Sequence, residues 1–379
     1  MAGIYIHVPF CKTRCIYCNF YTRTDMSPKD DYVFAICLEI ELRKDYLSGE
    51  IIKTIYFGGG TPSQLSYDNF RQIFAAIADN FEIASNAEIT LEANPDDLDS
   101  VYIETLKQLP FNRLSIGIQS FDDNELRFLK RRHSAAKAIE AVKRCQSAGY
   151  NNISIDLMYG LPNQTMEIWN KNLEQAIALG IQHISSYHLI YEEGTRLYKL
   201  FKTGEVKPVD EDLSVEMFSV MIDKLGEAGF EHYEISNFAK DGLYSKHNSS
   251  YWLGEKYLGL GPAAHSYDGR NRAWNIASIS KYIKGIGQGS LDLETEFLDD
   301  NTRYNDFILT GMRTMWGVDL TELEKRYGTD KKNYCLKNVR KYIDDGFVTN
   351  DNNILKLTRK GIFISDGIMS DLMWVDKTR

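Results

Sequence analysis

Long apolar runs are missing from this 379-residue chain: no stretch approaches the roughly 18 consecutive residues that a membrane-spanning helix needs. Its first residues, MAGIYIHVPF, lack a basic start followed by a long apolar block, so no secretory signal is expected. Cysteine is scarce, with six residues in all, too few for a secreted scaffold held by disulfides. Basic side chains are also in deficit. Against 53 acidic residues stand 44 Lys and Arg, a net charge of −9, which argues against a protein that coats nucleic acid. What remains is a cytoplasmic globular protein with no nucleic-acid partner. Its 43% apolar and 26% charged residues are ordinary for a packed domain and exclude disorder and fibrous repeats.

Short β-rich runs recur at Ile4–Val8, Ile51–Phe57, Ala87–Glu92, Arg113–Gln119, Asn152–Met158 and His183–Leu189, with helical segments between them. Several read as nearly continuous apolar stretches, as parallel strands covered on both faces do. Ser66 is a plausible N-cap before Phe70, Ile73, Phe74 and Ile77, which fall at the spacing of an apolar helical stripe. Ser134 opens a second such helix, and Gly149 closes it. Strand–helix units repeated about six times predict a parallel sheet with right-handed crossovers. Six units are fewer than a full eight-fold barrel needs, so the expectation is an α/β incomplete (β/α)6 barrel over residues 1–195, with a doubly wound sheet as the competitor. Residues 196–294, with a helix near 211–228 and Gly-rich loops, read as an extension of that barrel. From 295 to 379 the pattern becomes helix, helix, hairpin, helix, with a capping box from Asp319 and Glu322 and a turn at Asp351-Asn352-Asn353, which predicts a winged-helix-like α+β domain.

Three of the six cysteines cluster. Cys11, Cys15 and Cys18 form C-x3-C-x2-C just after the first strand. A structural zinc site usually carries a second C-x2-C knuckle, and none is present. Three thiolates match three corners of a [4Fe–4S] cube and leave one iron without a protein ligand. The other unusual motifs fall in the equivalent place, after the strands: Gly58-Gly59-Gly60-Thr61-Pro62, Glu92-Ala93-Asn94-Pro95, Gly117-Ile118-Gln119-Ser120 and Asp156 to Pro162. In parallel α/β folds ligands bind beyond the carboxyl ends of the strands, so this rim is the expected site. Consecutive glycines let the backbone approach a ligand; Glu92, Gln119 and Asp156 offer acceptors for an ammonium or ribose hydroxyls; Arg131 can pair a carboxylate.

The cysteine motif, with its aromatic Tyr17, resembles that of the radical S-adenosylmethionine (radical-SAM) superfamily. The resemblance implies that SAM chelates the open iron of the cluster through its methionyl amine and carboxylate, with the amine held by Gly59, Gly60 and Thr61. Tyr5 either packs on SAM or fills the barrel interior. Taken in order, Tyr5–Cys11, Phe57–Pro62, Glu92–Pro95, Gly117–Phe121, Arg131 and Asp156–Pro162 look like the branch that contains oxygen-independent coproporphyrinogen III oxidase and the HemW haem chaperones. Three features favour the chaperones: the first strand already begins at Ile4, Phe20 stands where the oxidases carry a fourth cysteine, and His247-Asn248-Ser249-Ser250-Tyr251-Trp252 matches the chaperones' HNxxYW motif. Gly259–Ser266 also looks like that group, and Asn19 departs from it where Asp is usual. The resemblance implies haem as ligand, with His247 as its candidate contact and His265 and His188 as lesser ones. It further implies acceptor haemoproteins such as respiratory-chain subunits, met at the membrane surface. The competing expectation is the oxidase, which converts two propionates to vinyls.

Overall fold

Strand β1 (Ala2–Val8) shows how the chain folds: Ile4, Ile6 and Val8 are fully buried towards the helices, and Tyr5 and His7 turn the other way, where their rings meet. In the computed structural model, which describes residues 2–375, the same alternation runs through β2 (Ile52–Gly59), β3 (Ile83–Ala93), β4 (Arg113–Gln119), β5 (Ile153–Tyr159) and β6 (His183–His188). These six strands are parallel and adjacent in sequence order. Helices α1 (Lys29–Leu42), α2 (Tyr67–Asn80), α3 (Ser100–Leu106), α4 (Asp123–Phe128), α5 (Ala135–Ser147) and α6 (Met166–Ala178) make the crossovers. A doubly wound sheet would reverse its strand order at a switch point. Sequential order excludes it and leaves the partial barrel.

The expected caps are in place. Ser66 accepts from the Asn69 N–H at 3.2 Å while the Asn69 side chain accepts from the Ser66 N–H at 3.1 Å. Ser134 caps α5 through the Lys137 N–H, and Gly149 beyond that helix takes a φ of +96°.

One expectation needs correction. The strands are not apolar throughout: β4 alternates Arg113, Ser115 and Gly117 on the barrel face with buried Leu114, Ile116 and Ile118 behind. Its partners supply Thr54 and Tyr56, Glu88 and Glu92, Ser154 and Asp156, His183 and Ser185 at the corresponding positions. The interior of the barrel is therefore polar, and the apolar core lies between sheet and helices.

Residues after 195 extend the same sheet at both ends. β8 (Asn237–Ala239) adds antiparallel to β6, and β7 (Glu231–Glu234) pairs antiparallel with β8 at the edge. β9 (Lys256–Leu260) joins the opposite end parallel to β1, followed by antiparallel β10 (His265–Tyr267), β11 (Asn271–Asn275) and β12 (Leu293–Phe297). The twelve-stranded sheet runs from β12 to β7 without closing.

A separate small core gathers Tyr304, Ile308, Val318, Leu323, Val339 and Leu355 in the C-terminal region. There a three-stranded sheet, β13 (Val318–Asp319), β14 (Val348–Asp351) and β15 (Ile354–Leu357), packs with helices in the winged-helix order. The hairpin turn has Asn352 and Asn353 at φ of +56° and +64°, as the sequence suggested. Asp319 caps its helix, but Glu322 pairs with Lys325 and Arg326 instead of completing a capping box.

The helix Asp300–Met312 and the turn after it span the opening of the sheet. Arg313 places two guanidinium nitrogens on buried Glu234 of β7, at 3.1 and 2.6 Å, and Asp306 accepts from Arg272 of β11 at 2.5 Å. No helix among the described residues is long and apolar enough to cross a membrane.

Glu39 of α1 is fully buried and accepts from Gly261 N–H and Asn275 Nδ2 at 2.8 Å, Tyr282 O–H at 2.6 Å and Arg43 at 3.2 Å. Removing one member of a buried charge pair leaves the other uncompensated. Glu39→Ala is expected to lower unfolding free energy by about 3 kcal/mol or more, seen as an earlier urea midpoint; an unmoved midpoint would show that the network carries no load.

Candidate cofactor site and adjoining cleft

The cysteine loop leaves β1 at its C-terminal end and is clamped at its neck. Cys11 N–H donates to Arg23 O at 2.9 Å, and Arg23 N–H donates to Pro9 O at 2.6 Å. Its flank is held by Asp97, buried beyond β3, which accepts from Lys12 at 2.7 Å, Ser63 at 2.9 Å, Gln64 at 2.6 Å and Arg132 at 3.3 Å. One carboxylate thus joins the loops after four successive strands. No local signal announces this, because an Asp after a proline turn reads as a helix cap.

Cys11 is buried and Cys15 and Cys18 are half-buried. Thr61 O–H donates to Cys11 Sγ and Arg131 to Cys15 Sγ, both at 3.4 Å. Burial pushes the Cys11 thiol up to about 11, with the two neighbouring sulfurs adding to the rise and the Thr61 hydrogen bond and Arg131 opposing it. The three sulfurs are close enough to feel one another, yet among the described residues no three His, Cys, Asp or Glu side chains converge to hold a metal ion. Three sulfurs near enough to influence one another, with a hydroxyl and a guanidinium donating to two of them, fit a cluster that offers each thiolate its own iron.

The rim residues fall into two groups. Glu92, Asp156, Arg131 and Tyr5 come together on the barrel face. Glu92 accepts from Tyr56 O–H at 2.7 Å and Gly59 N–H at 3.1 Å, and burial raises its carboxyl. Asp156 is pushed up to about 7 by burial and by the Glu92 charge, against the pull of Arg113 and Arg131. Arg131 donates to Asn94 Oδ1 at 2.5 Å and to the Gly117 carbonyl, and its buried Nε lacks a partner. A ligand carboxylate there would find one free donor and would have to take over another. Gln119 closes β4 at a φ of +73°, a backbone region costly for a non-glycine residue, beside a register shift against β5.

The second group is occupied by the protein itself. A side chain on Gly59 would strike the His7 ring at 2.5 Å, and one on Gly60 would strike the Val8 carbonyl at 2.7 Å. These glycines let strands and loop approach each other. Thr61 is buried between Cys11 and Asn94. Tyr17 packs with Ile16, Leu161 and Leu197 beside Cys15. Arg113, Tyr56 and Asn94 belong to the same environment and were not anticipated; the period-two alternation of β4 was the signal for Arg113.

His247 lies on the barrel floor, 1% exposed. Its Nδ1 shares a hydrogen bond with Thr54 Oγ1 and its Nε2 with Tyr251 O–H, both at 2.8 Å. Burial, with Arg113 nearby, drops its pKa to about 3. Both nitrogens are used, so the imidazole braces Tyr251 and offers no lone pair to a ligand. Tyr251 and Trp252 do line a space. A cleft of about 1200 Å³ runs from Tyr5, His7 and Phe20, beside the cysteine loop, past Tyr251, Trp252 and His265 to the helix Asp300–Met312.

Comparison with known proteins bears on this geometry. Residues 5–176 match the model of the radical SAM superfamily, and residues 298–364 match that of the HemN C-terminal domain. The chain is 32% identical over 371 residues to a protein named heme chaperone HemW from Bacillus subtilis, covering 97% of this chain and 98% of that one. It is 31% identical to one of the same name from Lactococcus lactis, covering 98% and 97%. A mitochondrial radical S-adenosyl methionine domain-containing protein 1 from Bos taurus is 35% identical over 85% of this chain and 70% of its own. The structure of Escherichia coli coproporphyrinogen III oxidase (HemN) superposes with a TM-score of 0.85 at 22% identity, over 98% of this chain and 90% of that one, a likeness of fold.

The raised carboxyl of Asp156 makes a pH prediction. Its folded-state pKa of about 7 lies above the ordinary 3.8, so its contribution to stability is full below pH 4 and is lost as pH rises towards 7. Asp156→Asn removes that loss. The variant is expected to melt above the parent at pH 8 and together with it near pH 4; a pH-independent gap would show that Asp156 is not desolvated.

Proposed function

For a chain that belongs to the HemW family of radical-SAM proteins, we propose the work of a haem carrier, which takes haem into the cleft beside the cysteine loop and passes it to haem-requiring proteins. The observation that carries this reading is the position of Tyr251 and Trp252, the aromatic half of HNxxYW, on the wall of a cleft that opens next to Tyr5 and His7. Flat rings along a large cleft suit a planar macrocycle.

In this reading Cys11, Cys15 and Cys18 hold a [4Fe–4S] cluster. Bound there with SAM on its open iron, the cluster supplies one-electron reducing power. Thr61 and Arg131 stabilise the thiolates by donating to sulfur. Glu92, Gln119 and Asp156 accept from the ammonium and hydroxyl groups of SAM, with the Gly59 and Gly60 backbone beside them and Arg131 turning its unpartnered Nε to the carboxylate. Tyr5 stands between the SAM side and the cleft, and Tyr17 packs behind Cys15. His247 acts on haem at one remove, by fixing the Tyr251 ring. Of the units expected at 1–195, 196–294 and 295–379, the described part of the first is the cofactor-bearing unit, the second its extension with the motif, and the described part of the third the far wall of the cleft. The carrier works in the cytoplasm and meets respiratory-chain subunits at the membrane surface.

The competing activity, oxidative decarboxylation of coproporphyrinogen III, is separated by one anaerobic preparation. Iron and sulfide analysis is paired with haem titration and with incubation in coproporphyrinogen III, SAM and a reductant. Stoichiometric haem uptake without protoporphyrinogen formation is expected; turnover would replace the carrier by the oxidase. Cys15→Ala is expected to lose the brown absorbance, iron and sulfide yet keep the far-UV dichroism of the parent, since the apolar core lies elsewhere. Full retention of iron and sulfide would remove Cys15 from the ligand set.

A further inference from the structure

The cleft also indicates which residue meets the iron. We propose that His265 is the protein ligand to the iron of haem bound in this cleft, an inference that rests on the carrier reading above.

The seven histidines are all described, and their ring nitrogens sort them. His7 is held by Tyr5 O–H at 3.1 Å and by the Tyr21 carbonyl at 2.9 Å. His183 is held by Ser154 and Tyr233, each at 2.7 Å, and His247 by Thr54 and Tyr251. His133 is buried and donates to Ile118 O, and His232 donates to Ile235 O with its ring stacked on Phe238 at 4.3 Å. His188 is exposed on the mouth of the barrel, at the end of β6, edge-on to Tyr159, and is not among the residues lining the cleft. His265 alone combines a place on the cleft wall, solvent exposure and a ring without a hydrogen bond. Its only ring neighbour among the described residues is Trp274, stacked at 5.5 Å between centroids. Its partial enclosure by the cleft and the adjacent Arg272 lower its pKa, which favours the neutral form that carries a lone pair for a metal.

Its backbone is fixed more firmly than exposure suggests. A side chain on Gly259 would meet the His265 carbonyl oxygen at 1.9 Å, so the turn leading to His265 folds back directly against β9. Buried Glu39 holds Gly261 within that turn, and Ala263 is kept at a φ of +64°. On the other side the Ser266 hydroxyl is held by Arg43 at 3.0 Å and by Gly259 N–H at 2.9 Å. A ligand residue mounted on so braced a turn keeps its position when the cleft fills or empties.

The remaining chemistry of the wall suits a porphyrin that carries two carboxylates. Trp252 Nε1 and Arg303 Nε are buried donors without a protein acceptor, and both residues line the cleft. Such donors are costly to leave unpaired and are satisfied by an acidic ligand. Arg272, next to His265, is one-third exposed and shares its charge with Asp306 and Glu296.

The test is haem titration of the full chain, followed by the Soret band and by electron paramagnetic resonance. Replacing an exposed ring, His265→Ala is expected to leave the melting curve in place, to remove the histidine-ligated signature and to weaken binding. His265→Met is expected to shift the band by offering sulfur, and His265→Gly to recover the parent spectrum when free imidazole is added. His188→Ala is expected to titrate as the parent does. Parent-like spectra and affinity from His265→Ala, or transfer of the loss to His188→Ala, would overturn this assignment while the carrier reading stands. A parent chain that takes up no haem would overturn the carrier reading and this assignment together.

Discussion

Strand β1 is hydrogen-bonded in parallel on both sides, to β2 and to β9, and the functional architecture depends on that double pairing. Register with β2 sets Val8 against Gly59, which brings the cysteine loop over Thr61 and Glu92. Register with β9 sets Ile6 against Leu260, which brings the Gly261–His265 turn and the cleft alongside His7. A parallel neighbour more than 240 residues away cannot be reached by a hairpin, so this pairing is among the most non-local contacts of the fold. The cofactor rim and the cleft are thus fixed by one strand, and a shift in its register would displace both at once.

That dependence explains what could be read from the sequence and what could not. Local signals were legible: strand positions, the Ser66 and Ser134 caps, the Asn352–Asn353 turn, the helix near 211–228 and the cysteine cluster all rest on chemistry within a few residues. The six-unit partial barrel followed from counting them. Non-local placement was not legible. Nothing around Lys256 announces a parallel partner for β1, and nothing around Asp97 announces four converging donors. The barrel interior was misjudged for a different reason. Single polar residues such as Arg113 and Glu88 were passed over inside runs whose other positions are Ile, Leu and Val, although period-two alternation assigns them to one face. His247 illustrates the same limit: the motif marks the right helix, but only the fold shows that its histidine points into protein and its Tyr and Trp to the cleft.

A polar barrel interior carries an energetic cost. Glu92 and Asp156 are held with raised carboxyls in a space where Arg113 and Arg131 supply the compensating charge. Arg131 keeps a buried nitrogen unpaired, and Gln119 keeps a left-handed backbone. A chain selected only for stability would fill this space with apolar side chains, as closed barrels do. Unspent hydrogen-bonding capacity concentrated at the carboxyl ends of β3, β4 and β5 is the physical mark of a site shaped for a charged ligand.

The C-terminal domain completes the argument from edges. An open twelve-stranded sheet exposes two strands to pairing with other chains. The helix Asp300–Met312 and its following turn reach edge strand β7 through Arg313, and on the other side β11, the strand beside edge strand β12, through Asp306. The backbone around Arg313 adds two bonds: Ile235 N–H to Arg313 O and Met315 N–H to Tyr233 O. Bridging the ends without closing the sheet leaves a gap between barrel and domain, and that gap is the cleft. Its two walls are joined by ion pairs, a few backbone bonds and the ring contacts of Trp316 with Tyr233 and Tyr244 and of Phe363 with Phe218, while the barrel and the C-terminal domain bury separate apolar clusters. Connections of this kind separate at lower cost than a continuous shared core does.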